Sequence, residues 1–314
     1  MDAPLPIDGL PDGLTQRAMV ATDADIDAVA SLIAAAELAI DGVVDIDRED
    51  ILTDWARPGY HLATESVGVF EGERLIAEAE VFKGRRAEVH VHPHARGRGI
   101  GTALLAWTED LAAARGSTTI AQTVSDANEV AADLFARHGY VYGHTSWILE
   151  IENIDRPKVS LPAGFAFRPY TDSDARDAFQ VIEDAFNEWP NRHPAGFDDW
   201  AALTIRRPSF EPWQMLLVVS EDTDELVGVT FLLDYAAEDG WILQLATKAT
   251  HRHQGIATGM LHEASAVFWD RGRPKVGVNT DSRTGALALY EKVGMHVTRS
   301  YTNRAKDLRS GHAL

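Results

Sequence analysis

The stretch VHVHPHARGRGIGTALL, residues 89–105, decides how this chain is read. Its left half alternates His90, His92 and His94, as ligands along one face of a strand would. Its right half, Arg96 to Gly101, is a glycine-rich turn that opens a helix. The first pattern suits a metal ion, the second a phosphate. A strand that runs into Arg-x-x-Gly-x-Gly and then into TALLAWTEDLAAA aims several unpaired backbone N–H groups at one point. About half a positive charge of helix dipole stands behind them. Such a terminus binds phosphate, and the glycines let the backbone approach the anion with no Cβ between them.

The chain repeats this stretch. TKATHRHQGIATGML places Arg252, Gly255 and Ala257 where Arg96, Gly99 and Gly101 stand, an offset of 156 residues. Downstream, LFARHGY from Leu134 matches LYEKVGM from Leu289 at an offset of 155. Upstream, VATDADIDAVASLI matches YTDSDARDAFQVI, with Thr171 lying 149 residues after Thr22. Three matches in one order at similar spacing mean two copies of one fold. The repeat also separates the two readings of the opening stretch. His90, His92 and His94 fall on Ala246, Lys248 and Thr250, whereas the arginine and the glycine turn persist. No metal site is therefore expected, and the histidines read as partly exposed strand residues. His94 lies beyond Pro93, where strand alternation need not continue.

Between the copies, NIDRPKVSLPAG (residues 153–164) has two prolines, a glycine and no apolar periodicity, and reads as a linker. The expected domains are residues 1–152 and 165–314, each burying its own core; a chain of 314 residues is long enough for both. Within each half, Thr22-Asp23 and Thr171-Asp172 carry N-cap chemistry ahead of amphipathic stretches, Ile26 to Ile40 and Ala178 to Phe186. Hairpins follow around residues 71–74 and 221–225. After each come a strand, the glycine turn, a helix, a strand, a helix ending at Gly139 or Gly294, and a last strand, SWILEIE or HVTRSYTN. The expected fold class is α+β: two domains, each a mixed central β-sheet flanked by helices.

Composition narrows the partners. The 29 basic and 48 acidic residues give a formal net charge of −19, which repels nucleic acid and anionic membranes and favours cationic small molecules or basic peptides. The absence of cysteine removes disulfides, thiolate metal sites and a cysteine nucleophile together. The most apolar run, VASLIAAAELAI, contains Glu37 and is too short and too polar to span a bilayer. The first ten residues carry Asp2 and no basic residue, unlike a signal peptide. A cytoplasmic monomer or homodimer without nucleic-acid or membrane partners is expected.

Two well-known glycine motifs do not fit. No Gly-Lys-Ser/Thr follows, as a P-loop requires, and a dinucleotide fingerprint would have glycine in place of Arg96. The order strand, Arg-x-x-Gly-x-Gly/Ala, helix, then Leu-Phe/Tyr-x-x-x-Gly instead resembles the acetyl-CoA-binding core of the GNAT acyltransferase superfamily. HPHARGRGIGTALL carries that family's pyrophosphate motif and TDSRTGALALYEKVGM its second motif. The resemblance covers both halves, so the chain resembles a tandem GNAT protein, a layout similar to mycothiol synthase. It implies acetyl-CoA as acyl-donor cosubstrate and no metal. The cosubstrate would be held by Arg96, Gly97, Arg98, Gly99, Gly101 and Thr102 in one half. In the other half the matching positions are Arg252, His253, Gln254, Gly255, Ala257 and Thr258.

The resemblance further implies that an amine attacks the thioester directly. Backbone N–H groups around Val89 to Val91, or Leu245 to Thr247, would serve the developing oxyanion. The family's usual proton donor to the thiolate is a tyrosine after the leucine of Leu-Tyr-x-x-x-Gly; the second half has Tyr290 there and the first has Phe135. For the base the pattern reverses. Eight residues before the motif arginine the first half has Glu88, and the second has Gln244, which cannot take a proton. The tyrosine weighs more in this reading, so the C-terminal half is expected to be catalytic, with the N-terminal half binding CoA silently or shaping the other's pocket. The plainer alternatives are a core aromatic at Tyr290 and an exposed strand carboxylate at Glu88.

AFNEWPNRHPAGFDDW, residues 185–200, lies where the family's first helices and their loop cover the acceptor. Its Trp189, His193, Phe197, Trp200, Glu188, Asp198 and Asp199 suit a cationic amine, or ordinary helix packing. The second copy departs from the family pattern: Ala249 replaces a proline, and His253-Gln254 replaces Gly-Arg, leaving Arg98 without a counterpart. The expected function is acetyl transfer to a primary amine of a small molecule, such as an antibiotic, polyamine, amino sugar or mycothiol-precursor-like compound. The alternatives are a CoA-binding or assembly module without turnover, and a peptide or protein N-acetyltransferase.

Overall fold

The computed structural model describes residues 4–190, 192–234 and 239–310. Its contacts divide the chain into two units, Met1–Thr145 with Tyr301–Leu314, and Ser146–Ser300. The first unit runs β1 (Leu14–Arg17), α1 (Asp23–Ile40), α2 (Arg48–Trp55), α3 (Leu62–Glu65), β2 (Ser66–Glu71), β3 (Arg74–Phe82), β4 (Arg86–Val91), α4 (Ile100–Ala114), β5 (Thr119–Ser125), α5 (Glu129–Arg137) and the start of β6 (Val141–Glu152). The second continues through β7 (Phe165–Pro169), α6 (Ala175–Phe186), α7 (Phe197–Leu203), β8 (Met215–Ser220), β9 (Leu226–Asp234), β10 (Asp239–Thr247), α8 (Ile256–Asp270), β11 (Lys275–Asp281), α9 (Leu287–Lys292) and the start of β12 (His296–Asp307). Each unit has the expected α+β layout, a mixed sheet with helices on both faces.

Local chemistry sets the helix starts. Thr22 accepts the Asp25 N–H at 3.3 Å ahead of α1, and a capping box between Thr171 and Asp174 precedes α6. The same ion pair ties strand to helix in both copies: Arg17 grips Asp25 with two bonds of 2.6 Å, and Arg168 grips Asp174 at 2.7 and 3.0 Å. Alternation on β3 sends Ala77, Ala79 and Val81 into the core under α4. It sends Glu78, Glu80 and Phe82 to the opposite face, under α1 and α2. Aliphatic residues fill both faces of both sheets. Each fully buried side chain contributes about 1.5–3 kcal/mol.

The last strands pair differently from the sequence expectation. SWILEIE, Ser146–Glu152 of β6, pairs antiparallel with β11 in the second unit, and Tyr301–Asp307 of β12 pairs antiparallel with β5 in the first. The boundaries by contact therefore fall at 145/146 and 300/301 rather than within residues 153–164. Both strands are 12 residues long, about twice an ordinary strand, so each has length enough to serve in two units. The segment read as linker is packed against the second unit. Asn153 donates to the carbonyls of Ser265 and Arg273, each at 3.1 Å, and Leu161 lies against Gly259, where an added Cβ would come within 2.7 Å.

Candidate functional site

In both units the central parallel pair opens. β4 and β5 are in register only at Arg86↔Ala121, and β10 and β11 only from Asp239↔Lys275 to Ile242↔Val278. Beyond those points β4 keeps its pairing to β3 through Val91, and β10 its pairing to β9 through Thr247. The second edge of Val89, Val91, Leu245 and Thr247 is thereby turned to the gap. Val89, Val91 and Leu245 pack in part against the cores below, and Thr247 is buried.

At the end of β4 the chain turns through Gly97 and Gly99, with φ of +77° and +86°, left-handed values that glycine adopts without a Cβ clash. The first intrahelical bond of α4 runs from the Ala103 N–H to the Gly99 carbonyl at 3.0 Å, with the N–H groups of Ile100, Gly101 and Thr102 ahead of it. A Cβ on Gly101 would meet only ordinary contacts of 3.8 Å and beyond, which is why Ala257 can stand at that position in the second copy. Gly255 repeats the turn at φ +92°. His253 adopts φ +60° where the first copy has glycine, at a cost of about 1 kcal/mol.

The motif arginines part company here. Arg96 and Arg252 each donate Nε to the last carbonyl of the preceding strand, Val91 at 3.4 Å and Thr247 at 3.1 Å. Arg252 then donates both remaining nitrogens to Glu188, at 2.6 and 2.9 Å, and its charge is taken up by that carboxylate. Arg96 meets instead the Ala36 carbonyl at 3.5 Å, and Arg98 pairs with Glu71 at 3.0 Å on the surface. Gln254 is exposed, as is Thr102, and Thr258 is half-buried in the first turn of α8.

On the opposite face of the first unit, Glu80 stands across from Glu88 and Glu78 across from His90. Together with Asp54 and Trp55 of α2 they line a cavity of ≈ 30 Å³. Trp55 Nε1 donates to Glu80, and Arg86 donates to Glu88 at 2.5 Å. Glu78 is 1% exposed, and its Oε1, like His90 Nε2, is buried without a hydrogen-bond partner. Burial pushes the Glu80 carboxyl up to about 7 and, with the charges of Glu80 and Glu88, raises Glu78 well above the usual carboxylate range. Burial also raises Glu88, but Arg86, His90 and Arg57 outweigh it and hold that carboxyl below its ordinary value. Burial lowers His90 against the pull of Glu88.

The other two histidines of the opening stretch stack on each other at 5.1 Å, and His92 meets Arg74 at 3.0 Å. Among the described residues, no group of three or more His, Cys, Asp or Glu side chains is arranged to hold a metal ion. No helix among them is long and apolar enough to cross a membrane.

The matching face of the second unit is filled. Gln244 accepts the Trp200 Nε1–H at 3.0 Å and stands opposite Phe231, while Ala246 stands opposite Val229. Phe231, Val229 and Ala246 thus occupy the positions of Glu80, Glu78 and His90, in a core shared with Met215 and Trp200. Most of the aromatic stretch read as an acceptor cover is packing: Phe197 and Trp200 contact Phe179, and Trp189 stacks on Phe186 at 4.5 Å. His193 is exposed, Asp199 is half-buried, and Asp198 pairs with Arg206 at 2.8 Å. Tyr290 is 6% exposed, clustered with Ile242, Leu245 and Met295. Burial pushes its phenol up to about 12, so it stays protonated at neutral pH. Phe135, its counterpart, packs edge-on against Tyr140 at 4.9 Å.

Glu88 therefore sits in the first unit, and Tyr290 with Gln244 in the second. The carboxylates that the fold gathers around Glu88, Glu78 and Glu80, are absent from the sequence reading. Their signal was present in LIAEAEVF, where two glutamates alternate at the positions that carry Val229 and Phe231 in the other copy.

Residues 34–140 and 176–295 match the Acetyltransferase (GNAT) family. The chain is 30% identical over 292 residues to a mycothiol acetyltransferase of Nocardia farcinica, covering 88% of this chain and 93% of that protein. It is also 30% identical over 218 residues to one of Pseudarthrobacter chlorophenolicus; that match spans 66% of this chain and 65% of the relative, just under two thirds of its length. Among solved structures, a GCN5-related N-acetyltransferase from Sphaerobacter thermophilus superposes with a TM-score of 0.77 at 32% identity, covering 97% and 99% of the two chains. A tandem GNAT protein from the clavulanic acid biosynthesis pathway gives 0.72 at 17% identity over 94% and 98%, a likeness of fold alone. The matched stretches contain both glycine turns, and with them this chain belongs to the GNAT acetyltransferase family as a tandem of two such units: it is an acyltransferase.

Proposed function

We propose that the protein transfers the acetyl group of acetyl-CoA to a primary amine of a small molecule, and that the first unit receives and deprotonates that amine. The observation that carries this reading is Glu88 with His90 on the opened strand β4, beside Glu78 and Glu80, where the second unit has an apolar core. Acetyl-CoA supplies the acyl group as an activated thioester. Its diphosphate suits the N-terminus of α4, where the N–H groups of Ile100, Gly101 and Thr102 lie beside Arg96, with Arg98 paired to Glu71. The N–H groups of β4 that face the gap, around Val89 to Val91, are donors for the acyl oxygen.

Magnitudes decide which proton transfer matters more. An alkylammonium with a pKa near 10.4 is unreactive until deprotonated, and at pH 7 that costs about 4.6 kcal/mol. A thiol with a pKa near 8.5 leaves as the thiolate at a cost of about 2 kcal/mol. The base therefore outweighs the acid, which favours the unit with Glu88 over the one with Tyr290. A second reading keeps catalysis in the second unit, and the protonated Tyr290 phenol beside the opened β10 favours it. Against it stand Gln244, which takes no proton, and Glu188, which holds Arg252.

Thiol release from acetyl-CoA across a panel of small amines and basic peptides tests the proposal, with Glu88→Gln and Tyr290→Phe assigning the unit. Release that is lost in Glu88→Gln and kept in Tyr290→Phe supports the first reading. The reverse supports the second. No release with any acceptor would leave a CoA-binding module without turnover.

A further inference from the structure

We infer that the acceptor taken by the first unit is a slender diamine, with one amine at Glu88 and His90 and a second, still charged, ammonium between Glu78 and Glu80. This rests on the reading of that face as the amine site and names its substrate class.

The molecule contains its own control. Beyond a register shift next to Gln244 the two units pair their strands alike, and in the second unit the positions of Glu78, Glu80 and His90 are held by Val229, Phe231 and Ala246, all buried. The fold therefore has no need of charge at these positions. Burying a carboxyl without a donor is costly, yet Glu78 is 1% exposed and its Oε1 meets none. A polar atom kept at that cost in the lining of a cavity offers an acceptor to a donor from outside the protein. Within the protein Trp55 donates to Glu80 and Arg86 to Glu88, and Glu78 faces a second carboxyl, Glu80, with the Tyr60 hydroxyl beside the pair.

Space and spacing define the ligand. The cavity of ≈ 30 Å³ holds about two waters, the size of one ammonium head and its first methylene, so the rest of an unbranched chain must reach it from the opened gap. Glu88 and His90 lie on β4, which borders the opened gap, and Glu78 and Glu80 lie one strand further from it. Neighbouring strands are about 4.8 Å apart, which sets the separation of the two nitrogens at about three or four carbons. The amine that reacts must be neutral, so the positive charge that lets the buried Glu78 and Glu80 ionise has to come from elsewhere on the acceptor. A second ammonium supplies it.

Calorimetric titration of 1,4-diaminobutane and of butylamine into the full chain tests the inference. The diamine is expected to bind about 10- to 100-fold more tightly, as one buried charge-assisted hydrogen bond provides. Glu78→Val, which installs the residue of the matching position in the second unit, is expected to abolish that preference. Glu78→Gln, of nearly unchanged shape, serves the same purpose if the valine chain does not fold. Equal affinity for the two amines in the unaltered protein overturns the inference, and so does a preference that survives the substitution. The transfer reading fails separately: a diamine preference without thiol release from acetyl-CoA would remove the reaction and leave this site standing.

Discussion

Replacing Glu88 by glutamine keeps the shape of the strand and removes the carboxylate nearest the opened gap. Its side chain is 36% exposed and its Arg86 partner 54%, so losing the ion pair should change stability by no more than about 1 kcal/mol. The effect on catalysis is larger. At pH 7 an alkylammonium lies about 3.4 units below its pKa, so about one molecule in 2,500 is neutral. A positioned base recovers roughly 10²- to 10⁴-fold of this. Arg86 holds the Glu88 carboxyl below its ordinary value, which makes it a weaker base and points to the lower end, a fall in kcat/KM of about 100-fold. The loss should shrink to a few-fold near pH 10, where the free amine needs no base. The assay is thiol release from acetyl-CoA at saturating donor, at both pH values, with a thermal melt to confirm folding. A loss of less than about threefold at pH 7, or an equal loss at both pH values, would refute the reasoning.

Three further outcomes follow from the geometry. Acetyl-CoA should titrate to one tight site per chain, weakened tenfold or more by Arg96→Glu and unchanged by Arg252→Glu, because Glu188 already occupies Arg252; two equivalent sites by calorimetry would contradict this. Gly99→Ala should cost about 1 kcal/mol through its φ of +86° although nothing crowds its Cβ, whereas Gly101→Ala should stay within about 0.5 kcal/mol in denaturant melts. Asp174 is held at about 2 by the Arg168 bonds, which outweigh the effect of burial. Its folded pKa is depressed, so its stabilisation is complete above its ordinary value of 3.8 and is lost as pH falls through about 2. Asp174→Asn should therefore destabilise by about 1–2 kcal/mol at pH 7, discounted for solvent screening, and by almost nothing at pH 2.

The sequence by itself determined whatever depends on neighbours along the chain. Thr22 and Thr171 mark helix starts because a cap bonds an N–H three residues away. Gly99 and Gly255 mark the turn ahead of α4 and α8 because only glycine enters the left-handed region freely. The 156-residue offset between Arg96 and Arg252 revealed two copies because both kept this local chemistry.

The tertiary structure alone decided the partners. SWILEIE and the end of β12 read as strands from alternation, but alternation does not name the neighbouring strand. They close the unit opposite to the one expected because edge hydrogen bonds form across large sequence separations. Arg252 carries the same motif as Arg96, yet Glu188, 64 residues away, takes its charge. Glu78 and Glu80 looked like ordinary strand residues until the pairing of β3 with β4 set them beside Glu88 and His90 under α2. A carboxylate's solvation and charge partners follow from what packs around it, so its chemistry is fixed only when the chain is folded.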